Sequence, residues 1–308
     1  MVWQSSSLRL SKERLQERGK TPLDNSYRNM RRAKVVLSTA LITLLALFFL
    51  FPLIWMIASS LKTEASIYKD LTSWKAFLPS GNIQDWFDSY KALFKRFAIF
   101  HYIGNSVVYA LCVTTGSVII NSLAGYGFAR FKFRGKKILF GILLATLVIP
   151  GETILIQQFQ MAKNLGILNT IIAVILPGMA SPFYIYMFKN FFESISDDVM
   201  ESAQIEGANA LQIYWKVMLP MAKPAIATVG TLSFIGSWND YLWPLMVLTD
   251  SSKFPLQVAI TNINSTQPVY MNQVMALLTI STIPLVIIYV VFQKYLVQGM
   301  GTAGTGVK

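Results

Sequence analysis

Val35–Ser60 of the chain, VVLSTALITLLALFFLFPLIWMIASS, carries no charged residue, and the reading of this stretch decides the fold class. A helix needs about 20 apolar residues to cross the roughly 30 Å hydrocarbon core of a bilayer. This run exceeds that length and follows 34 polar and basic residues, which sets it too deep and makes it too long for a cleaved signal peptide. It is expected to remain as a membrane span. The composition of the 308 residues agrees: 54% are hydrophobic and only 14% charged, with a mean hydropathy of +0.47. Such a chain cannot cover a water-facing surface.

Working outward, five further apolar stretches follow: about 102–129, 138–159, 165–188, 225–248 and 271–297. The second carries Asn105, Gly116, Ser117, Asn121 and Gly125, small and polar residues that suit close helix contact. The third is interrupted by Pro150-Gly151-Glu152 and the fourth by Pro177-Gly178, so both are expected to kink or unwind locally. The fifth contains Trp238-Asn239-Asp240. The expectation is an all-α integral membrane protein of six transmembrane helices, with a basic arm over 1–34, a membrane domain over 35–297 and a tail over 298–308.

Lysine and arginine set the orientation. With both termini cytoplasmic, the inner segments hold nine basic residues before Val35, five in Arg130–Lys137, three in Lys189–Lys223 and two at the C-terminal end; the outer segments hold eight. Cytoplasmic termini are therefore expected. The net charge of +12 falls at the flanks of the spans, which fits anionic lipid and not nucleic acid. The segment 63–100 is long enough for a small interfacial helix, and 249–270 reads as a polar, turn-rich outer loop. The tail over 299–306 is glycine-rich and expected to be disordered when unbound.

One histidine, His101, and one cysteine, Cys112, exclude a disulfide framework and leave no material for a multi-histidine metal site or a hydrolase triad. No metal site is expected. No G-x-x-x-x-G-K-[ST] loop occurs, so the chain does not itself hydrolyse nucleotide. The chain is expected to be a transport subunit and not an enzyme.

The most informative polar stretch lies within 189–224: Asp198–Pro220, DVMESAQIEGANALQIYWKVMLP. Glu201–Glu206 reads as helix, Gly207 as a turn, and Ala208–Met218 as a second short helix ending before Leu219-Pro220. Ile213, Tyr214, Trp215 and Val217 give this knob an apolar side that needs a protein surface to cover it. The pattern resembles the cytoplasmic signature of permease subunits in binding-protein-dependent ABC importers: E-A-A, three residues, G, nine residues, I, one residue, L-P. Glu201, Ala203, Gly207, Leu219 and Pro220 match, with Ser202 in place of the first alanine and Val217 in place of the isoleucine. Further stretches look like the carbohydrate-uptake class, similar to the second permease of maltose-type systems: Leu168-Asn169-Thr170, Phe191-Phe192, Ser237–Pro244 (SWNDYLWP), and Gln293-Lys294-Tyr295 with Val297-Gln298-Gly299.

The resemblance implies a type I ABC importer permease fold in a bacterial or archaeal plasma (inner) membrane. It implies a heterodimer with a second permease, two copies of a cytoplasmic ATPase, and an extracytoplasmic solute-binding protein that delivers a sugar or oligosaccharide. A glycerol phosphate, polyamine or metal ion is the alternative cargo, and a secondary transporter or channel a more distant one. No cofactor is implied in this chain; ATP and Mg belong to the partner ATPase. Glu201, Ser202, Ala203, Gly207, Ala208, Leu219 and Pro220 would form the ATPase-docking loop. In the same family the 249–270 loop would reach the binding protein. From residue chemistry, Glu152 and Asp240 are carboxylates at or near membrane depth. With Gln157, Gln158, Trp238 and Asn239 they are candidates for a substrate path, because aromatic faces beside hydrogen-bonding groups suit a sugar.

Overall fold

The computed structural model describes residues 22–304. The basic arm up to Thr21 and the last four residues of the tail lie outside the described residues. Within them every regular element is helical.

Helix α1 (Pro22–Ser60) spans 39 residues, with Pro52 inside it. Its apolar run displays Leu37, Phe48 and Phe49 as exposed side chains, the state expected of a helix that meets lipid or another protein.

In the remainder, two short helices precede the second span: α2 (Glu64–Asp70) and α3 (Asp88–Arg96). Thr63 caps α2 by accepting from the Ser66 amide. The Lys62 ammonium is buried and donates to Asp70 at 2.8 Å and to the Lys75 carbonyl at 2.7 Å. Segment 63–100 thus holds two helices and two 3₁₀ turns, more order than one interfacial helix.

The axis of the fold is α4 (Ile99–Arg130), 32 residues or about 48 Å at helical rise. It packs on α8 (Pro182–Glu193) and on α12 (Lys223–Trp238), and α12 packs in turn on α15 (Met271–Gly304). Glycines permit the closest approach. A Cβ built on Gly125 would sit 2.6 Å from the Phe188 Cβ, and one on Gly116 2.7 Å from the Met179 sulfur. The small residues singled out in the second span therefore serve helix packing.

The third apolar stretch is broken at Ile149-Pro150 and the fourth at 180–181, just past the expected Pro177-Gly178. α5 (Lys136–Ala145) and the turn after it meet 151–164, which ends in α6 (Leu155–Asn164), at 96°. That is nearly a right-angle turn, sharper than the expected kink. The fourth stretch, from α7 (Ile171–Ile175) to α8, bends by 45°. Asn121, fully buried on α4, repairs this break: its Nδ2 donates to the Met179 carbonyl at 3.0 Å and its Oδ1 accepts from the Ser181 amide at 2.9 Å. Backbone groups at the break thus find a side-chain partner, and the Ala173 carbonyl, four residues before Pro177, accepts from the Trp243 indole N–H at 2.9 Å.

Three expectations are corrected. The fifth span ends at Trp238, because Asn239 and Asp240 interrupt the helix before α13 (Leu242–Val247) begins. The 249–270 segment is not only loop. It contains α14 (Leu256–Ser265), whose Leu256, Ala259 and Ile263 enter the core beside α4 and α15. α15 continues as helix to Gly304, into the glycine-rich stretch expected to be disordered. Three helices are long and apolar enough to cross a membrane, or up to six segments if each bent pair counts as one span.

Candidate functional site

The 189–224 segment is built by local rules. Ser196 caps α9 (Asp197–Ile205). The helix then stops at Gly207, whose φ of +83° favours glycine. The Gly207 amide donates to the Gln204 carbonyl at 2.9 Å and the Ala208 amide to the Ala203 carbonyl at 3.0 Å. These two bonds make a Schellman stop. Two residues later Asn209 and Gln212 cap each other reciprocally, opening α10 (Ala210–Ile213). The second helix does not end before Leu219-Pro220. A π-helical turn over Tyr214–Met218 passes into α11 (Leu219–Met221), with Pro220 in its first turn, where a missing amide is harmless.

Of the four apolar residues expected to face outward, only Trp215 does; Ile213 and Tyr214 point the opposite way and Val217 is half-buried. Ile213, Tyr214 and Met218 are buried in the chain's own core with Phe188 and Phe192. The side chains left outside are Ile205 at 87%, Leu211 at 61% and Trp215 at 48% exposure, next to the exposed Glu201 and Gly207. Of the remaining docking candidates, Ser202 and Pro220 are exposed, while Ala203, Ala208 and Leu219 are half-buried against the core cluster. No atom lies within 4 Å of a Cβ built on Gly207, so this glycine serves the turn and leaves the surface open.

One face of α4 roots the knob through residues four apart. Ser122 and Tyr214 share a hydroxyl hydrogen bond of 2.7 Å, and Tyr126 donates to the Ala210 carbonyl at 3.1 Å. Arg130 reaches Asp197 and the carbonyls of Phe192 and Ile195. The second span thus holds the end of α8, the start of α9 and the start of α10. At its other end, the same helix uses His101, Asn105 and Tyr109, again four apart. His101 donates to the Ser252 carbonyl, Asn105 to Ser252 at 2.8 Å and Phe254 at 3.0 Å, and Tyr109 to Lys253 at 2.7 Å. Asn169, at a positive φ of 58°, holds the same turn from across by accepting the amides of Thr249 and Asp250.

A cavity of about 370 Å³ lies between α4, the broken fourth stretch, α12 and α13. It brings together two of the six path candidates, Gln158 and Asp240. Asp240 accepts the Trp243 amide at 3.4 Å. Around them stand Tyr109, Ser181, Tyr184, Ser233, Ser237 and Trp243, none of which was singled out for this role in the sequence. The Ser233 hydroxyl is buried without a hydrogen-bond partner. Such an orphan is unusual, and a polar ligand would satisfy it.

Four candidates lie elsewhere. Trp238 is 1% exposed, stacks on Phe234 and donates its indole N–H to the Ser281 carbonyl at 3.0 Å, so it is a core residue. Asn239 is exposed and bonds back to the Ile235 carbonyl. Glu152 and Gln157 are exposed and do not line the cavity. Among the described residues no group of three or more His, Cys, Asp or Glu side chains is arranged to hold a metal.

Comparison with known proteins gives concordant results. Residues 117–302 match the family described as the binding-protein-dependent transport system inner membrane component. The arabinooligosaccharides transport system permease protein AraQ of Bacillus subtilis (strain 168) is 28% identical over 267 residues, 86% of this chain and 94% of that protein. The sn-glycerol-3-phosphate transport system permease protein UgpE of Yersinia pestis is 32% identical over 198 residues, 64% of this chain and 70% of that one. Among solved structures, a chain of a bacterial ABC transporter involved in the import of the acidic polysaccharide alginate superposes with a TM-score of 0.76 at 29% identity. The match covers 86% of this chain and 96% of that one.

Proposed function

This chain belongs to the family of inner membrane components of binding-protein-dependent transport systems, and from that premise we propose that it forms half of the membrane pathway of an ATP-driven sugar or oligosaccharide importer. It is a multi-pass inner-membrane transport subunit and not an enzyme. The observation that carries the sugar reading is the cavity, where carboxamide, carboxylate and hydroxyl groups of Gln158, Asp240, Ser181 and Ser233 gather beside the rings of Tyr184 and Trp243. Hydroxyl-bearing rings present the matching alternation of polar edge and apolar face. The similarity to AraQ over most of both chains supports the same class.

The partners follow from the unfinished surfaces. Exposed Ile205, one helical turn after Glu201, and exposed Leu211 and Trp215, one turn apart, offer apolar side chains and a carboxylate suited to a cytoplasmic ATPase subunit that pairs the charge and covers the side chains. In this reading both termini and the 189–224 segment are cytoplasmic, a second permease completes the pathway, and two ATPase copies drive it with ATP and Mg. The turn held by His101, Asn105 and Tyr109 then faces the binding protein.

Affinity capture of the full chain from membranes tests the assembly: one ATPase and one other permease are expected with it. Reconstituted into liposomes with its binding protein, that complex is expected to accumulate labelled arabinotriose or lactose only with ATP. Uptake of sn-glycerol-3-phosphate and of neither sugar would replace the sugar reading with the phosphate one. Flux without ATP would reject the importer itself.

A further inference from the structure

The cavity that carries the proposed function is also one-sided in charge. Asp240 is the one ionisable carboxyl among its lining residues, and no lysine, arginine or histidine stands with it. Among the described residues no cation forms an ion pair with Asp240; its recorded hydrogen bond is the Trp243 amide. The other polar groups there, Gln158, Ser181, Tyr184 and Ser233, are neutral. Ser233 is 4% exposed and its hydroxyl has no partner within the chain. A ligand entering this space therefore meets one negative charge, several hydroxyl and amide groups, and no positive counter-charge. In a cleft walled in part by Val113, Val174 and Trp243, like charges are screened less than in bulk water.

Resting on the sugar reading above, we propose that the cargo passing Asp240 is a neutral or cationic polyhydroxyl compound, and that Asp240 is the residue that turns away phosphorylated and carboxylated solutes. The relatives the chain resembles include a permease named for sn-glycerol-3-phosphate and a transporter named for an acidic polysaccharide, so resemblance alone does not set the charge of the cargo.

The test needs no knowledge of the cargo. In the assembled complex with its ATPase and second permease, Cys112→Ala removes this chain's only native thiol and Ser237→Cys places one in the cavity wall, with modification read on this chain after it is separated from its partners. The modification rate is measured with a cationic and an anionic methanethiosulfonate reagent of similar size, each normalised to its rate with free 2-mercaptoethanol. The expected result is a cationic preference of roughly tenfold, falling to within about twofold of unity when Asp240→Asn is added. Equal rates for the two reagents, or an unchanged preference in Asp240→Asn, would overturn the proposal. Protection from both reagents, with and without nucleotide, would overturn it as well, because the cavity then lies off the path. Failure of the sugar reading is separate: it appears as absent sugar uptake while the charge preference at Ser237→Cys persists.

Discussion

The hydroxyl of Tyr126, near one end of the second span, donates to the carbonyl oxygen of Ala210, 3.1 Å away and 84 residues later in the chain. Ser122 and Arg130 flank it on the same helical face and reach Tyr214 and Asp197. A side-chain ladder of this kind carries displacement of the 189–224 segment directly into a membrane helix.

Within that ladder the arginine and its acidic partner are unequal. Arg130 is 7% exposed and serves two carbonyls besides Asp197, whose carboxylate is 84% exposed. Asp197→Asn is expected to cost less than about 1 kcal/mol, the range of a solvent-screened pair. Arg130→Ala takes the side-chain donor from the Ile195 carbonyl and leaves the Phe192 carbonyl to the Ile195 amide; it is expected to cost about 1–3 kcal/mol. Thermal unfolding of the detergent-solubilised complex measures both, and equal losses would show that the ion pair, not the carbonyl contacts, matters.

Gly207 separates conformation from crowding. Its φ of +83° makes any L side chain strained, yet the space around it is open. Gly207→Ala is expected to destabilise the α9 terminus by about 1 kcal/mol, while Gly207→Asn, which tolerates the left-handed region, costs less. Both variants are expected to insert normally. If the ATPase covers this site, Gly207→Trp loses ATPase on copurification; full retention of the ATPase by that variant would put the docking face elsewhere.

At Gly125 the limit is packing. A methyl group there meets the Phe188 Cβ at 2.6 Å and the Lys189 backbone nitrogen at 2.9 Å, whereas Gly127 faces open space. Gly125→Ala is expected to lower stability by about 1–3 kcal/mol through overpacking. Gly127→Ala is expected to be neutral or slightly stabilising. Melting curves of the two variants side by side decide the matter.

Asn121 joins the two sides of the break between Met179 and Pro182. Asn121→Leu leaves the Met179 carbonyl and Ser181 amide without that partner. The expected loss is about 1–3 kcal/mol for each group left unsatisfied, seen as a lower unfolding temperature and faster proteolysis near residue 179. Unchanged stability would mean that water or the backbone replaces the amide.

Outside the membrane, Asp70 gives a pH dependence. Its carboxyl is held below the ordinary value, first by the hydrogen bond from Lys62 and further by the charges of Lys62, Lys75 and Lys69. A depressed folded-state pKa contributes stability that is present above the unfolded value, near 3.9, and lost as pH falls through the folded one. The 62–78 segment of the native chain is therefore expected to resist acid-induced proteolysis to a lower pH than in Lys62→Met. Identical pH midpoints would remove the pair from the account.

How much of this was legible in the sequence depends on the length scale of the signal. Uncharged runs declare spans, Pro177-Gly178 declares a break, and Gly207 declares a helix stop, because each is a local property of consecutive residues. Facing is different. Ile213 and Tyr214 read as an outward apolar side, but the core formed by Phe188, Phe192 and Tyr126 claims them, and only the tertiary arrangement says so. Trp238 looked like a sugar platform for the same reason. The cavity joins Gln158, Tyr184, Ser233 and Asp240 from separate elements, with no common spacing to betray them. Helix α14 was readable: Leu256, Ala259, Ile260 and Ile263 recur at helical intervals, masked by the polar residues between them.

The two triplets on the second span, 101-105-109 and 122-126-130, pin a single rod at both mouths, and Gly116 and Gly125 leave it no slack along its flank. A beam fixed this way tilts as one piece. Pressing a ligand or an antibody fragment against the 249–254 turn is then expected to be felt as torque at the 189–224 segment, about the length of a membrane span away.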